Sequence, residues 1–440
     1  MLNRRNILKN TSCGFGYLAL NGLLAQYSSG MTNHFPVKAK RVIFLYMNGG
    51  PSHVDTFDYK PELSKKNETE DPTDKNRLLM VNQSKFSPCG QNGLMISDYF
   101  PELQKHADNL CLINGAYCET GNHEQARSLL HTGNFQFVRP SMGSWLVYGL
   151  GSENNELPGF ITINATIGPN DYGSAFLPAI YQGTSVNAGN IKSAIPNLSN
   201  TKISVDNQRK NLDLLNELNR FKLDQDKNNT RLEGIIESYE LAFRMQTAVP
   251  NVMDITKEHQ STLDKYGIGQ KPTDAFGKQC LMARKFAEAG VRFIEIGIGT
   301  WDFHTDIQKN MVEKCAAVDK PISALLSDLK SKGMLEETLV VWGGEFGRTP
   351  GRQKTANGRD HNHQGYSIWM AGGGVKGGIR YGSTDEFGHK AVENRMGIHD
   401  LHATILYLMG IDHTRLTYRY SGRDFRLTDV YGEVHNSIIV

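Results

Sequence analysis

Short apolar runs alternate with longer mixed segments along this chain, and the alternation predicts an α/β fold. The runs are rich in Val, Ile, Leu and Phe, as is typical of strands that are buried on both faces of a parallel sheet. They occupy residues 40–47, 110–114, 158–165, 291–297, 339–342 and 366–370. Helical patterns at 274–289 and 306–331 precede and follow the fourth run. We therefore predict a doubly wound, mostly parallel sheet with helices on both faces.

A different pattern fills the middle of the chain. Residues 211–245 place Leu, Ile and Phe at helical spacing between charged positions, which predicts two amphipathic helices. We take them as part of a helical insertion at about 204–265. The rest of residues 38–435 then forms a single α/β domain. The charged positions of these helices are most simply a solvated face, so the insertion carries no functional signal.

The first thirty residues have the pattern of an export signal. Arg4 and Arg5 stand just before a weakly apolar segment at 13–25, as in signals of the twin-arginine route. We assign residues 1–30 to such a signal and predict a periplasmic or secreted protein. A chance pair of arginines or an uncleaved anchor is the alternative. No later stretch has the uninterrupted apolar length that a stable membrane span requires.

The charge balance argues against two classes of partner. The chain has 48 Lys and Arg against 46 Asp and Glu. Removal of residues 1–30 takes away Arg4, Arg5 and Lys9, which leaves 45 basic residues against 46 acidic ones. A nearly neutral chain does not indicate nucleic acid or an anionic membrane surface as a partner.

Polar side chains directly follow two of the predicted strands. Asn48 ends the first strand and opens a Gly-Gly turn that carries Ser52 and His53. Asp302 and His304 follow the strand at 291–297. Glycines allow the backbone to approach a ligand, so such turns often build sites. A tight turn with an Asx cap is an equally simple interpretation of either segment.

The long loop between the strands at 339–342 and 366–370 is the strongest candidate for a site. Glu345 stands at its entrance, and His361 and His363 lie near its end. Loops of this length in a compact domain are more often functional than idle. A solvated basic loop with incidental histidines is the alternative.

These groups together indicate a metal site. Because the carboxyl ends of parallel strands meet at one edge of a sheet, the three segments would converge there. Carboxylates and imidazoles are the ligands of hard or borderline divalent cations, with zinc the first candidate and calcium or manganese as alternatives.

A fourth segment places a histidine and an arginine together. His123 and Arg127 are spaced i and i+4 at the start of a short predicted helix that Gly133 ends. They would share one face at the helix N-terminus, where free backbone N–H groups and the guanidinium favour an anion.

Several stretches resemble one known family. Taken together, the chain resembles the exported bacterial domain-of-unknown-function family fifteen-oh-one, a sulfatase-related member of the alkaline-phosphatase-like superfamily. The matching stretches span nearly the whole mature chain in the right order: 44–58, 123–133, 301–304, 344–350, 358–361, 371–374 and 420–427.

The resemblance implies a doubly wound alkaline phosphatase/sulfatase-like fold and a one- or two-metal site that cleaves phosphate or sulfate esters. The metal ligands it implies by position are Asn48, Asp302, His304, Glu345 and either His361 or His363. Arg127, Arg348 and Arg359 are then candidates to hold the anionic ester, and we add Ser52 and His53 of the first turn to the substrate-binding set.

Two departures from the superfamily pattern matter. Sulfatases have a nucleophilic cysteine or serine where this chain has His123, although Arg127 keeps their arginine. Phe346 stands where a second metal would take its His or Asn. A formylglycine sulfatase is therefore not expected, and the second metal position of the superfamily is left open. His123 is open to four interpretations: nucleophile, general base, metal ligand, or the mark of a lost activity.

We predict an exported, metal-dependent hydrolase of sulfate or phosphate esters, with polysaccharide esters among the expected substrates. In this prediction His123 and Arg127 are the catalytic residues. The alternative is a non-catalytic protein that binds sulfated or acidic glycans on the same scaffold.

Overall fold

The computed structural model describes residues 33–166, 168–189, 194–195, 198, 202–225 and 230–440. The predicted twin-arginine signal at residues 1–30 lies outside the described residues. No helix in the described part of the chain combines the length and the apolar character needed to cross a bilayer.

A central sheet organises the described chain. Its eight strands, labelled here in chain order, are β1 Arg41–Met47, β2 Leu110–Ala116, β3 Phe160–Ile163, β4 Thr184–Val186, β5 Phe293–Ile298, β6 Thr338–Gly343, β7 Tyr366–Ala371 and β8 Ile379–Tyr381. Their spatial order is β8-β2-β7-β6-β1-β5-β3-β4. The six strands predicted from apolar runs are all present. The two edge strands, β4 and β8, are short and were not predicted.

Strand direction explains where a site can form. Within the described sheet, neighbouring strands run parallel except at β7, which is antiparallel to both β6 and β2. The carboxyl ends of β1, β2, β5 and β6 therefore lie at one edge, and the amino end of β7 lies there too. The fold-class prediction of a mostly parallel sheet is confirmed.

Helices cover both faces of this sheet, as predicted. The described α-helices are His53–Thr56, Pro61–Lys65, His123–Thr132, Met142–Leu150, Pro169–Tyr172, Val205–Gln225, Thr230–Met253, Gln260–Lys265, Asp274–Glu288, Ile307–Ser331 and Ile398–Leu408. Successive side chains of β1 point to opposite faces of the sheet and so pack into two separate cores. Ile43 and Leu45 pack into the core beneath Asp274–Glu288 and Ile307–Ser331. Val42 and Phe44 pack into the opposite core, which His123–Thr132 and Ile398–Leu408 cover.

Three helices occupy the stretch predicted as an insertion at about 204–265, namely Val205–Gln225, Thr230–Met253 and Gln260–Lys265. The segment between β1 and β2 contains the short strands Glu70–Asp71, Asp74–Leu79, Phe86–Cys89 and Leu94–Ser97.

The long loop after β6 is more ordered than its composition indicates. Gly347–Arg348 pairs with His361–Asn362, and Gly351–Gln353 pairs with Asp74–Leu79. The first pair of strands joins the two ends of the loop to each other. The second pair attaches the loop to the strand Asp74–Leu79. The remaining short strands are Ser383–Thr384 with Ala391–Glu393, and Tyr418–Tyr420 with Arg423–Phe425.

Candidate functional site

The carboxyl edge of the sheet brings together four side chains, Asp302, His123, His304 and His361, which we call the Asp302 cluster. Asp302 and His304 follow β5, and His123 opens the helix after β2. His361 lies just before β7, and it reaches the same edge because β7 runs in the opposite direction. The sequence-based prediction that these strand ends converge agrees with this arrangement.

Asp302 is the centre of the cluster. His304 Nε2 lies 2.9 Å and His361 Nε2 lies 3.3 Å from its Oδ1 atom. His123 Nε2 lies 3.3 Å from Oδ2. The Nε2 atoms of His304 and His361 are 3.1 Å apart. Three imidazoles thus turn the same ring nitrogen towards one carboxylate.

The second ring nitrogen of each of these histidines, Nδ1, has its own hydrogen-bond partner. Each Nδ1 faces an oxygen that can only accept a hydrogen bond: Glu345 Oε1 at 2.6 Å for His123, Asp360 Oδ1 at 3.0 Å for His304, and the Gly121 carbonyl at 2.8 Å for His361. In the neutral ring the proton therefore sits on Nδ1, which leaves the Nε2 lone pair facing Asp302. Metal-ligating histidines are typically oriented in this way.

Glu345 lies behind His123 rather than among the Nε2 atoms. The Gly49 N–H donates to its two oxygens at 3.0 and 3.2 Å, and the Tyr46 hydroxyl donates to Oε2 at 2.9 Å. Gly49 has φ +110°, and a Cβ there would lie 2.7 Å from the Trp301 backbone nitrogen, so the turn requires glycine. Glu345, predicted as a metal ligand, is placed as the anchor of His123.

Two carboxylates dominate the electrostatics. Burial disfavours the imidazolium of His123, but Asp302 and Glu345 outweigh this and raise its pKa to about 9. Burial also disfavours the charged form of Asp302, yet His123, His361 and Arg348 hold the pKa of Asp302 well below its usual range. The cluster is therefore built to keep a carboxylate ionised beside a positive charge.

The donor set suits a divalent cation. The ligand atoms of His123, Asp302 and His361 all lie within 4.8 Å of one another. The enclosed His123 Nε2 faces Asp302 Oδ2 at 3.3 Å, and such a pair of atoms can share either a proton or a bound cation. Imidazole nitrogens combined with one carboxylate oxygen are common ligands of zinc.

Arg348, predicted to bind substrate, is almost completely buried beneath the cluster. Its Nη2 lies 2.6 Å from Asp302 Oδ1, and its Nε donates to the Gly50 carbonyl at 2.9 Å. Burial lowers the pKa of this guanidinium, and Asp302 partly offsets the effect. This is a correction: the geometry makes Arg348 a support of Asp302, without an open face for an ester.

Arg359 lies deeper still and is likewise not open to a substrate. Its guanidinium, with 0% of the side chain exposed, forms two hydrogen bonds to Asp55 at 2.8 and 3.2 Å. Its remaining N–H groups donate to the carbonyls of residues 80, 81, 349 and 350. All of its donors are satisfied within the protein, so we correct its role to a structural one.

Ser52 and His53 belong to the same buried layer. The Ser52 hydroxyl donates to Asp55 Oδ2 at 2.6 Å. His53 Nε2 lies 2.9 Å from the Gly388 carbonyl, and burial lowers the pKa of this ring. Both side chains are about 1% exposed, so the predicted substrate-binding role does not agree with their positions.

Three further predicted residues lie near the Asp302 cluster but outside it. Asn48 donates to the Thr166 carbonyl at 3.1 Å, and His363 Nδ1 donates to the Cys118 carbonyl at 2.9 Å. Arg127 lies one helical turn beyond His123 and donates to Asp171 Oδ2 at 2.8 Å. Of these three, Arg127 keeps guanidinium nitrogens free of described protein partners.

Phe346 closes one side of the cluster. Its ring centroid is 4.7 Å from that of His123 and 4.9 Å from that of His361. A fully buried benzyl group occupies this side, where the resemblance would place a ligand of a second metal. One metal position therefore fits these residues better than two.

The sequence did not identify the groups that orient the histidines. Tyr46 is a buried polar residue in an otherwise apolar strand, and that signal could have marked it. Asp360 stands directly before His361, and its proximity to a histidine cluster was the available sign. Gly121 contributes only a backbone carbonyl, which no side-chain pattern reveals.

Comparisons with known proteins give a family but no activity. No curated protein matches the sequence. Solved structures with partial similarity include the lipoteichoic acid synthase LtaP from Listeria monocytogenes, with 12% identity and a TM-score of 0.40 over 89% of this chain and 74% of that one. The PsFucS1 sulfatase from Pseudoalteromonas sp. has 13% identity and a TM-score of 0.35 over 85% and 68%. The phosphonate monoester hydrolase SpPMH from Silicibacter pomeroyi has 10% identity and a TM-score of 0.36 over 84% and 73%.

Similarity at these scores does not assign an activity to this chain. The family match is much more extensive, because residues 39–439 fit the family described as Protein of unknown function (DUF1501). This confirms the family inferred from the motifs. The chain belongs to the DUF1501 family.

Proposed function

We propose that this protein is an exported, metal-dependent hydrolase of sulfate or phosphate esters. The observation that carries the proposal is the orientation of His123, His304 and His361. Each ring is anchored through Nδ1 and presents Nε2 to Asp302. A protein that needed these histidines only for packing would not require three separate anchors for one ring orientation. The Arg4-Arg5 pattern supports the export part of the proposal.

In this proposal His123, Asp302, His304 and His361 hold one divalent metal, with zinc the first candidate. Such a metal would supply a Lewis acid for an ester oxygen. Glu345 keeps His123 in the tautomer that exposes Nε2, and Arg348 keeps Asp302 ionised. Among the predicted ligands, Asn48 and Glu345 are left out because their polar atoms are used elsewhere. His363 is left out because none of its described contacts is with Asp302.

The anionic ester would be held beside the cluster by Arg127. Its Nε is bound to Asp171, so the two terminal nitrogens remain for a sulfate or phosphate oxygen, a bidentate geometry that suits a guanidinium. Arg127 lies on the same helix as His123, so the anion would be held next to the metal ligands. The contacts of the Asp302 carboxylate, among the described side chains, are with imidazole and guanidinium groups. Water is therefore the nucleophile we favour.

The first test is elemental analysis of the mature protein, purified after export without added metal. We expect close to one equivalent of metal in the wild type and loss of it in Asp302→Asn and His304→Gln. His259→Gln is the matched control, because His259 is exposed and its ring contacts Ser261 rather than the cluster. Hydrolysis of p-nitrophenyl sulfate and p-nitrophenyl phosphate should fall with metal content.

Absence of metal from all four proteins would contradict the metal proposal. It would favour a second candidate, a non-catalytic protein that binds sulfated or acidic glycans. Phe346 supports this candidate, because an apolar ring packs against both His123 and His361. Metal without turnover of either aryl ester would separate the two proposals, since the ligand assignment would hold while the hydrolase assignment failed.

A further inference from the structure

A cleft runs along the helix that begins with His123. Its first part has a volume of about 270 Å³, and its wall includes Glu124, Arg127 and Asp171. Glu124 and Arg127 belong to the helix that begins with His123, so this cavity lies along the same helix as one residue of the Asp302 cluster. It then extends along residues 135–139, of which 137–139 also line a neighbouring cavity of about 460 Å³ with Ala175, Phe176 and Tyr420.

Arg139 lies where the two cavities meet. Its guanidinium carbon is 4.3 Å from the Phe425 ring centroid, 5.6 Å from that of Phe137 and 6.0 Å from that of Phe176. Within the described part of the chain its guanidinium has no ion pair and no hydrogen bond. Burial and the nearby charge of Arg423 lower the pKa of Arg139, and the charge of Asp429 offsets part of this effect. Arg139 is partly buried, so its guanidinium can still be reached by an anionic ligand.

Aromatic rings form the other wall. Phe176 and Tyr420 are stacked, with centroids 5.0 Å apart and an interplanar angle of 15°. Tyr420 is 48% exposed and Phe137 is 61% exposed. Large aromatic side chains are seldom left this exposed around a cavity unless something covers them. Tyr420 also belongs to the family-like stretch 420–427, which the metal site does not use.

We propose that this cleft, the Arg139 subsite, binds an anionic sugar unit of an oligosaccharide whose ester group lies at the Asp302 cluster. The flat aromatic faces match the C–H face of a pyranose ring, and the unpaired guanidinium of Arg139 takes its sulfate or carboxylate. Arg127 forms the link, because it lines the first cavity and lies one turn from His123. The position of the ester rests on the proposed hydrolase function, whereas sugar binding by the subsite does not.

A pyranose fits these observations better than the simpler occupants. An apolar protein segment would leave the charge of Arg139 unpaired, and that would cost free energy. An inorganic anion would satisfy the guanidinium but leave the exposed rings of Phe137 and Tyr420 uncovered. An acidic sugar supplies both the charge and an apolar face.

The test is calorimetric titration of the mature protein with sulfated isomaltotetraose and with isomaltotetraose itself. We expect binding of the sulfated compound, at least tenfold weaker binding of the neutral one, and at least tenfold weaker binding of the sulfated compound to Arg139→Gln and Tyr420→Ala. Arg395→Gln is the matched control, because Arg395 also lies over a ring, 4.4 Å from the Tyr117 centroid, but away from the cleft. It should bind like the wild type.

The Asp302→Asn variant distinguishes sugar binding at the Arg139 subsite from the proposed hydrolase function. We expect the Asn variant to lose its metal and still bind the sulfated tetrasaccharide. Equal binding by wild type and Arg139→Gln would overturn the subsite, as would equal affinity for the neutral compound or no binding at all. Binding of anionic phospholipid vesicles in place of the saccharide, with the same dependence on Arg139 and Tyr420, would overturn it in favour of a membrane surface. Circular dichroism of each variant shows whether it is folded, and Tyr420→Ala serves as the second variant.

Discussion

At the scale of single residues, the structure separates the side chains that would bind the proposed metal from the side chains that support them. Glu345 and Arg348 both contact the Asp302 cluster, but each is buried and has most of its hydrogen bonds to the backbone or to neighbouring side chains. Their expected influence is indirect. It depends on how well they hold His123 and Asp302 in place.

Glu345→Gln should weaken metal binding about 10- to 100-fold, the usual effect of losing a carboxylate behind a ligating histidine. The amide can still face His123 Nδ1, but it no longer fixes the proton there. Competition titration against a zinc-binding dye measures the change. Tyr46→Phe, which removes one hydrogen bond to the same carboxylate, should have a smaller effect. An unchanged metal affinity in folded Glu345→Gln would show that the anchor is unnecessary.

Arg359→Met should lower the free energy of unfolding by about 3–5 kcal/mol, because it leaves Asp55 charged and buried without its partner. Urea denaturation measures the loss. Arg352→Met is the matched control from the same loop. Arg352 pairs with the more exposed Glu68, and such a pair contributes about 1 kcal/mol or less. Similar losses in both variants would contradict the structural role given to Arg359.

At the scale of elements, the apolar runs predicted the strands that form the middle of the sheet. Residues 41–47 and 339–342 are buried on both faces, so their composition is set by local burial and is visible in the sequence. The edge strands Thr184–Val186 and Ile379–Tyr381 are three residues long, and their existence depends on pairing with distant strands. The reversed direction of β7 was also invisible, because the same composition serves either direction.

The residues of the candidate site also divide into those that the local sequence identified and those that depend on distant contacts. Asp302, His304 and His361 were found because ligand-type residues follow or precede predicted strands. The burial of Arg359 could not be found, because its partner Asp55 is 304 residues away in sequence. An arginine in a polar loop has the same local signature whether it binds substrate or a buried carboxylate.

The contacts of His389 with Asp71 and Asp385 should make the free energy of unfolding depend on pH. His389 Nε2 lies 2.9 Å from Asp71 of a short strand, and Nδ1 lies 3.6 Å from Asp385 of the same loop. Burial disfavours the charged ring, but Asp385 and Asp71 outweigh it and raise the pKa of His389 to about 9. The folded state therefore binds this proton more tightly than the unfolded state, whose histidine pKa is about 6.5.

The contribution of His389 should be fully present below pH 6.5 and should disappear as the pH rises through 9. Its upper limit is about 3 kcal/mol, from a pKa difference of about 2.5. Urea denaturation of wild type and His389→Gln at pH 6, 7.5 and 9.5 should give a difference that shrinks with pH. His259→Gln, an exposed histidine without an acid partner among its described contacts, should show little dependence. A difference that grew with pH would contradict the linkage.

At the scale of the whole molecule, the Asp302 cluster joins parts of the chain that are far apart in sequence. His123, Asp302 and His361 come from three segments at one edge of the sheet. A metal held by all three would bind the folded chain and not the unfolded one. Its binding free energy would then add to the stability of the entire fold.

Zinc at one hundred times its dissociation constant should raise the free energy of unfolding by about 2.7 kcal/mol. Thermal denaturation with zinc and then with excess EDTA measures the gain and its reversal. Asp302→Asn should show neither change. A wild-type melting temperature that does not respond to zinc would count against the metal centre, whatever the activity measurements gave.

The reversed strand Tyr366–Ala371 has a consequence for how this chain can diversify. The loop that carries Glu345 and His361 leaves the sheet after β6 and returns to it at the same edge, between adjacent strands. Its two ends are therefore neighbours whatever its length. Doubling the length of such a loop costs only about 0.6 kcal/mol of closure entropy. Insertions between Gln353 and Arg359 can thus reshape the surroundings of the site during evolution while the sheet keeps its register.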